Sequence, residues 1–295
     1  MKINFERIVG RNKGAVKQQG FQNSEYIANA LISINESLED LEDQFVRENQ
    51  GDSRVLVISY LPRSGSTYLY QLLCRTGRYN YVSNFQSRFW RTPCVGRLLE
   101  NSIGVRDYNL IKSQSNLGMT QGWESPSEFN YFWEERLGIS GGADSVVDEG
   151  RFDSSKAASL SDTISAMSTF EDKPLLFKKE WLGMNADTLR KCFPRLEFIH
   201  LNRDREAVIK SMLRARTSVY GESGTSIFGA SAPDYTFDVS LSLRENIEIQ
   251  IDGLDLYLRQ ELAKSGCPVH EINYEDLLDD TDGELNRLEA DIFSA

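Results

Sequence analysis

The sequence predicts an α/β fold, a P-loop-type parallel β-sheet flanked by helices on both faces, as a single domain with an N-terminal helix. A β-branched apolar run, Arg54–Tyr60, leads through the turn Leu61-Pro-Arg-Ser-Gly-Ser-Thr67 directly into a helical pattern from Tyr68 to Cys74. Short apolar runs alternate with amphipathic stretches again from Pro174 to the C-terminus. Strands alternating with helices are the pattern of a parallel sheet buried on both faces. The 295 residues, 40% hydrophobic and 26% charged, suffice for one large α/β domain or two small ones, with a sizeable core.

Residues 1–50 read as an irregular lead-in (1–23) followed by an amphipathic helix, and 51–295 as the α/β domain. In the helix, Ile27, Leu31, Ile34, Leu38, Leu41 and Phe45 alternate in steps of four and three, an a/d seam over about three heptads. That spacing suits a coiled-coil homodimer arm or a helix packed on its own domain, and the second is the expectation. Gly51-Asp52 ends the helix before the first strand. A second extended segment, Tyr79–Asn84, leads into an aromatic- and Arg-rich stretch over 85–97. Between about 100 and 170 periodicity is weak. This part holds Gly122–Trp133, a Gly/Asp/Ser-rich loop over 138–148, and Asp153 as the cap of a helix running to about Phe170. Regular alternation then resumes. Pro174–Lys179 is a strand, Asn185–Phe193 a helix, Leu196–Leu201 a strand and Arg205–Arg216 a helix. A loop (Tyr220–Asp234), a long helix (Leu241–Lys264), a last strand (Val269–Asn273) and a short acidic helix complete the chain.

A net charge of −11 disfavours nucleic acid and anionic membranes as partners, so an anionic ligand must be caught by a local basic site. No apolar segment approaches the ~20 residues of a membrane span, and the start lacks a signal-peptide core. A cytoplasmic location is the expectation. Cys74, Cys94, Cys192 and Cys267 are too scattered for a zinc site or a disulfide framework, as expected of free thiols in a reducing compartment. Of the two histidines, His200 lies in an apolar strand run, and no metal site is expected.

The strand–turn–helix at 54–74 is the layout in which backbone N–H groups and a helix N-terminus wrap a phosphate. It is close to a Walker A motif but has Tyr60 and Ser66 where that motif needs Gly and Lys. The cation within the turn is Arg63. A second constellation follows: the strand ending at Arg203 precedes a helix carrying Ser211, eight residues or about two turns on. A strand-end Arg can grip a phosphate in bidentate fashion. Both residues can flank a groove at the carboxyl edge of the sheet.

Together these segments resemble the PAPS-dependent sulfotransferases. The family's 5′-phosphosulfate loop is similar to Pro62-Arg63-Ser64-Gly65-Ser66-Thr67. Its 3′-phosphate pair is similar to Arg203 and Ser211, its strand ending in Lys to Leu175-Leu-Phe-Lys178, and its Tyr-Glu-Asp-Leu segment to Tyr274–Leu277. The resemblance covers about residues 55–280. It implies PAPS as donor, 3′,5′-ADP as product, no metal, and a small-molecule or saccharide acceptor bearing a hydroxyl or amine. It also implies that Tyr68 follows the loop as a ring able to stack on adenine. Arg63 in the loop and the absence of a C-terminal Arg-Lys-Gly segment resemble bacterial-type members.

In-line transfer spreads negative charge over the moving group, so Arg63, the loop N–H groups and Lys178 are the candidate catalysts, by analogy with phosphoryl transfer. A base must take the acceptor's proton. The resemblance implies Glu180, at the position two residues after the strand-end lysine where some family members carry a His base, or a Glu elsewhere, for which Glu124 is a candidate. Glu128 is a rival, since it and Glu124 both sit among aromatic residues that could desolvate a carboxyl group. The aromatic segments 85–90 and 123–133 suit either an acceptor platform or core packing. A P-loop kinase or NTPase is the competing enzyme reading, opposed by Ser66 and by the lack of a strand-end Asp. A non-catalytic nucleotide-binding scaffold is the other alternative.

Overall fold

The computed structural model describes residues 25–104, 106–112, 115–116, 118–139, 145–148, 150–221 and 225–294. The expected lead-in, 1–23, lies outside them. In chain order the strands are β1 (Arg54–Tyr60), β2 (Ser115–Asn116), β3 (Met119–Thr120), β4 (Leu175–Lys178), β5 (Arg195–Asn202) and β6 (Val269–Asn273). β2 and β3 form a small antiparallel hairpin, and the other four form one sheet in the order β4-β1-β5-β6. All its pairings are parallel, with Val55 opposite Leu175 and Leu196, and Phe198 opposite Val269.

Period-two alternation sorts the strand side chains into two cores. Val55, Val57, Leu175, Phe177, Leu196 and Phe198 face one side. There they meet α5 (Asn130–Leu137), α6 (Ser154–Ser168), α7 (Glu180–Met184), α8 (Ala186–Cys192) and α10 (Leu243–Ser265). Leu56, Ile58, Tyr60, Leu176, Ile199 and Leu201 face the other, against α3 (Ser66–Arg75), α11 (Tyr274–Asp279) and α12 (Thr281–Phe293). β1 and β4 are therefore buried along almost their whole length, whereas the edge strand β6 alternates buried His270 and Ile272 with exposed Val269, Glu271 and Asn273. α9 (Arg205–Tyr220) packs with α10 through Val208, Ile209, Met212, Ile247 and Ile251.

The N-terminal helix departs from its heptad reading. It is two helices, α1 (Glu25–Ser37) and α2 (Glu39–Glu48), separated at Leu38. The seam residues Ile27, Ile34 and Leu41 are exposed, whereas Ala28, Asn35 and Glu42 are buried. Leu31, Ile32, Phe45 and Val46 pack on the first core, so the pair lies on its own domain. Polar anchors select this face. Asn35 donates to Arg88 O and accepts from Arg91 N, both at 2.9 Å. The Glu42 carboxylate accepts from the N–H groups of Cys94 and Val95 at 3.0 and 2.9 Å, capping α4 (Pro93–Ile103). Those donors would otherwise be orphaned at the helix start.

The segment expected to be extended at 79–84 forms bridges rather than a full strand. Asn80 pairs with Leu175, and Ser83 with Pro126 in antiparallel sense. α7 was not anticipated from the sequence. It turns the chain immediately after β4, so the strand ends at Lys178 instead of Lys179.

At the sheet edge, His270 of β6 ties three elements together. Its Nδ1 lies 2.6 Å from Asp291 Oδ2 on α12, and its Nε2 lies 3.0 Å from Glu197 Oε2 on β5. Hydrogen bonding to Glu197, and then to Asp291, raises its pKa above the ordinary histidine value against the opposing effect of burial. A raised histidine pKa contributes stability that is fully present below the unfolded-state value, near 6.5, and is lost as pH climbs through the folded value. His270→Gln should therefore lower stability at pH 6 by on the order of 1 kcal/mol, discounted for the exposed Asp291 partner, and by less at pH 9. Denaturant midpoints at the two pH values check this, and equal losses at both would refute the charged clamp.

Candidate active site

β1 is flanked by β4 on one side and β5 on the other, so the chain order reverses at its carboxyl end. In open α/β sheets ligands bind at such a switch point. Here the turn from β1 into α3 lies there, with Lys178 at the end of β4 on one side and Arg203 just past the end of β5 on the other.

The turn is held by Ser64 N donating to Leu61 O (3.1 Å) and Tyr68 N donating to Gly65 O (2.9 Å). Arg63 takes a left-handed backbone conformation, φ 67°, and Gly65 follows at φ 94°. Gly65 is the N-cap of α3, so Ser66 and Thr67 present their N–H groups in its first turn, where no intrahelical acceptor exists. A Cβ on Gly65 would lie 2.1 Å from Cε2 of Tyr274. Tyr274 thus lies directly against the turn. The Arg203 guanidinium in turn lies over the Tyr274 ring at 4.4 Å.

Arg203 Nη1 donates to Arg63 O at 2.8 Å, and Arg63 Nε donates to Ser211 Oγ at 3.3 Å. Arg63, Arg203, Ser211 and Tyr274 therefore meet, although 211 residues separate the first from the last. Burial, together with the cations of Arg203 and Arg214, pulls the Arg63 pKa below its ordinary value. Arg203 Nε and Ser64 Oγ are buried with no hydrogen-bond partner. Crowded cations and idle buried donors are what an anion-binding cradle requires.

The other flank of the turn is a charge cluster. Lys178 is 3% exposed, and its Nζ donates to Thr67 Oγ1 at 3.0 Å and to Glu128 Oε1. Its ammonium also lies over the Tyr60 ring at 5.1 Å. Lys179, 6% exposed, reaches Glu128 Oε2 and Glu180 Oε2, each at 3.4 Å, and lies 4.2 Å from the Trp181 ring. Burial would raise the Glu128 carboxyl, but Lys178 and Lys179 outweigh it and hold the group well below the ordinary carboxylate range. Gly118, in the turn between β2 and β3, closes over this corner. A Cβ there would lie 3.8 Å from Thr67 Oγ1 and 3.9 Å from Glu128 Oε1.

Among the three candidate carboxylates, then, Glu128 meets Lys178 directly and Glu180 joins through Lys179. Glu124 lies apart in the 121–125 bend, its carboxylate 2.2 Å from where a Cβ on Gly122 would sit. The aromatic segments divide. Trp90, Phe129, Phe132 and Trp133 are core residues, while Phe85 and Phe89 are half-buried and Trp123 is exposed. Tyr68 is half-buried against the second core. Pro62 is covered by the loop after α9, where a Cβ on Gly229 would lie 2.9 Å from Pro62 Cβ. Lys179 was not singled out from sequence. Its sole signal was adjacency to a strand-end lysine.

Fold and site define an α/β protein in which Arg63, Arg203 and Lys178 gather around the turn at the switch point of its parallel sheet. The model of the sulfotransferase family matches residues 55–292, and the chain belongs to that family. No curated protein sequence matches it significantly. Among solved structures it is similar to the sulfotransferase STF9 from Mycobacterium avium, with TM-score 0.50 and 13% identity, over 86% of this chain and 67% of that one. It is also similar to the sulfotransferase STF1 from Mycobacterium tuberculosis, with TM-score 0.48 and 11% identity, over 86% and 70%. The sulfotransferase domain from the curacin biosynthetic pathway aligns with TM-score 0.41 and 16% identity, over 82% and 74%. At these identities the likeness to STF9 speaks to the fold alone. Among the described residues no three His, Cys, Asp or Glu side chains are grouped as metal ligands. No described helix is long and apolar enough to cross a membrane.

Proposed function

We propose that the protein transfers a sulfuryl group from PAPS to the hydroxyl of an acceptor. The observation that carries this reading is the turn 62–67 lying between Lys178 on one flank and Arg203 with Ser211 on the other. A donor with phosphate at both the 5′ and 3′ positions of one ribose needs two cationic subsites. Lys178 with the loop N–H groups suits the 5′-phosphosulfate, and Arg203 with Ser211 suits the 3′-phosphate. The idle Nε of Arg203 and Oγ of Ser64 fit such a ligand.

PAPS supplies an activated sulfuryl group. The chain's own residues hold and neutralise the charge around it. Arg63, the N–H groups of Ser66 and Thr67, and Lys178 are fixed in a largely buried site, where charge stabilisation is strongest. Glu128 is the proton acceptor we favour, because its carboxylate is kept ionised beside Lys178. Glu180 is the neighbouring carboxylate, one lysine removed. Phe85, Phe89 and Trp123 are the exposed or half-buried rings available to an acceptor, which we take to be a small hydroxylated molecule or a saccharide.

Titration with 3′,5′-ADP tests the reading. At 100-fold its Kd this ligand should add ~2.7 kcal/mol of stability, read as a rise in Tm. Stabilisation by magnesium-ATP with no response to 3′,5′-ADP would favour the kinase reading and sink this one.

A further inference from the structure

We infer that Lys179 is a positioning residue that holds Glu128 in place as proton acceptor and thereby leaves Lys178 available to the transferred group. The inference rests on the sulfotransferase reading above and adds a residue that the reading itself does not use.

Consecutive residues of a strand point to opposite faces. Here β4 gives way to α7 directly after Lys179, and both ammonium groups arrive at one carboxylate. Lys178 takes Oε1 of Glu128, and Lys179 takes Oε2 at 3.4 Å. Both lysines are nearly inaccessible to water, and buried ammonium groups persist when paired. Lys179 is fixed on further sides by Glu180 and by the Trp181 ring.

Two lysines on one carboxylate look redundant until the second contact of Lys178 is considered. Its Nζ also donates to Thr67 Oγ1, so it stands at the junction between the phosphate turn and Glu128. An anion in the turn competes with Glu128 for that ammonium. A buried carboxylate deprived of its counter-charge takes up a proton, and a protonated Glu128 could accept none from the acceptor. Lys179 binds the other oxygen and is anchored by Glu180 and the Trp181 ring, so its hold on Glu128 persists when Lys178 moves. Among the described residues, the groups facing Glu128 are Lys178 at the end of β4, Lys179 directly after it, and the phenols of Tyr60 on β1 and Tyr70 on α3. Glu180 lies behind Lys179. Burial pushes both phenols far up, so they stay neutral and the lysines decide the state of Glu128. In the transfer, the acceptor oxygen bonds to sulfur while its proton passes to Glu128. The bond from sulfur to the 5′-phosphate oxygen breaks, and its electron pair leaves with 3′,5′-ADP.

The test compares wild type, Lys179→Met and Lys179→Arg by carbon NMR of the Glu128 side-chain carboxyl. Glu128→Gln identifies the signal. In Lys179→Met the carboxyl should titrate at least one pH unit higher than in wild type in the ligand-free protein, a tenfold change in proton affinity. The shift should widen with 3′,5′-ADP bound. Lys179→Arg should restore the wild-type value, and the acid limb of kcat/KM should move in parallel. If Lys179→Met does not fold, the pair Lys179→Met with Glu180→Gln keeps the cluster charge-balanced and should shift Glu128 in the same direction. An unchanged Glu128 titration in the ligand-free variant overturns the inference whatever the donor. Wild-type protein that ignores 3′,5′-ADP overturns instead the donor reading on which the inference rests.

Discussion

Replacing Arg203 by Ala is expected to weaken binding of 3′,5′-ADP about 100-fold, roughly 2.8 kcal/mol, while leaving the ligand-free protein nearly as stable as before. The two halves of that expectation come from different contacts. Toward a ligand, Arg203 offers a charged fork whose Nε has no partner in the free protein. Truncation removes a charge-assisted donor from a buried site, where such donors count most. Toward the protein, the loss of the bond to Arg63 O and of the stack on Tyr274 is offset by relief of the cations crowding Arg63. A stack of this kind contributes on the order of 1 kcal/mol, so the net change in stability should stay within about that amount.

Calorimetric titration with 3′,5′-ADP and a denaturation curve of the same preparation read the two halves separately. Arg203→Lys is an informative intermediate. It keeps the charge but loses the planar fork and most of the stacking, so it should recover a minor part of the affinity. Wild-type affinity in Arg203→Ala would show that the proposed 3′-phosphate subsite is misplaced.

Much of this site was legible because its chemistry is written in short local stretches. Pro62–Thr67 is contiguous, and Arg203 and Ser211 lie on one strand-to-helix junction, so spacing alone placed them on one groove. Lys178 stood at the end of an unmistakable apolar run. Glu128 was harder to place. Its approach to Lys178 depends on the pairing of 82–85 with 123–127, through Asn84 N to Ser125 O, Phe85 N to Trp123 O and Ser127 N to Val82 O. Those segments carry no periodic pattern, and the bonds are made by backbone groups that every residue possesses. Glu124 and Glu128 therefore looked equivalent in sequence, although the bend at 121–125 separates them. The N-terminal helices pack on their own domain as expected, but on a face the apolar spacing did not mark. Leu31 and Phe45 of the seam reach the core, while Asn35 and Glu42 find backbone partners and are buried in place of Ile34 and Leu41. Tyr274 was legible as a residue of the site, but its contact with Gly65 was not, because the two come together solely through the parallel register of β1, β5 and β6.

That contact gives the second large effect. Gly65→Ala should abolish measurable binding of 3′,5′-ADP and lower Tm by roughly 3–10 °C. Two separate penalties act at this position. The backbone sits at φ 94°, outside the range that a side chain tolerates, and such strain costs on the order of 1–3 kcal/mol. The new methyl would also lie 2.1 Å from a ring atom of Tyr274, closer than any carbon contact allows. The ring cannot simply retreat, because the Arg203 guanidinium lies against it. The turn must therefore move, taking with it the N–H groups of Ser66 and Thr67 and the carbonyl that orients Arg203. At about 2–4 °C per kcal/mol for a large domain, backbone strain plus the residual clash accounts for the fall in Tm. A double variant separates the two penalties. Adding Tyr274→Ala to Gly65→Ala removes the clash but not the strained backbone, so part of the lost stability should return while ligand affinity stays low. If Gly65→Ala binds 3′,5′-ADP as wild type does, the turn is not the cradle, and Lys178, Arg203 and Ser211 surround it for some other reason.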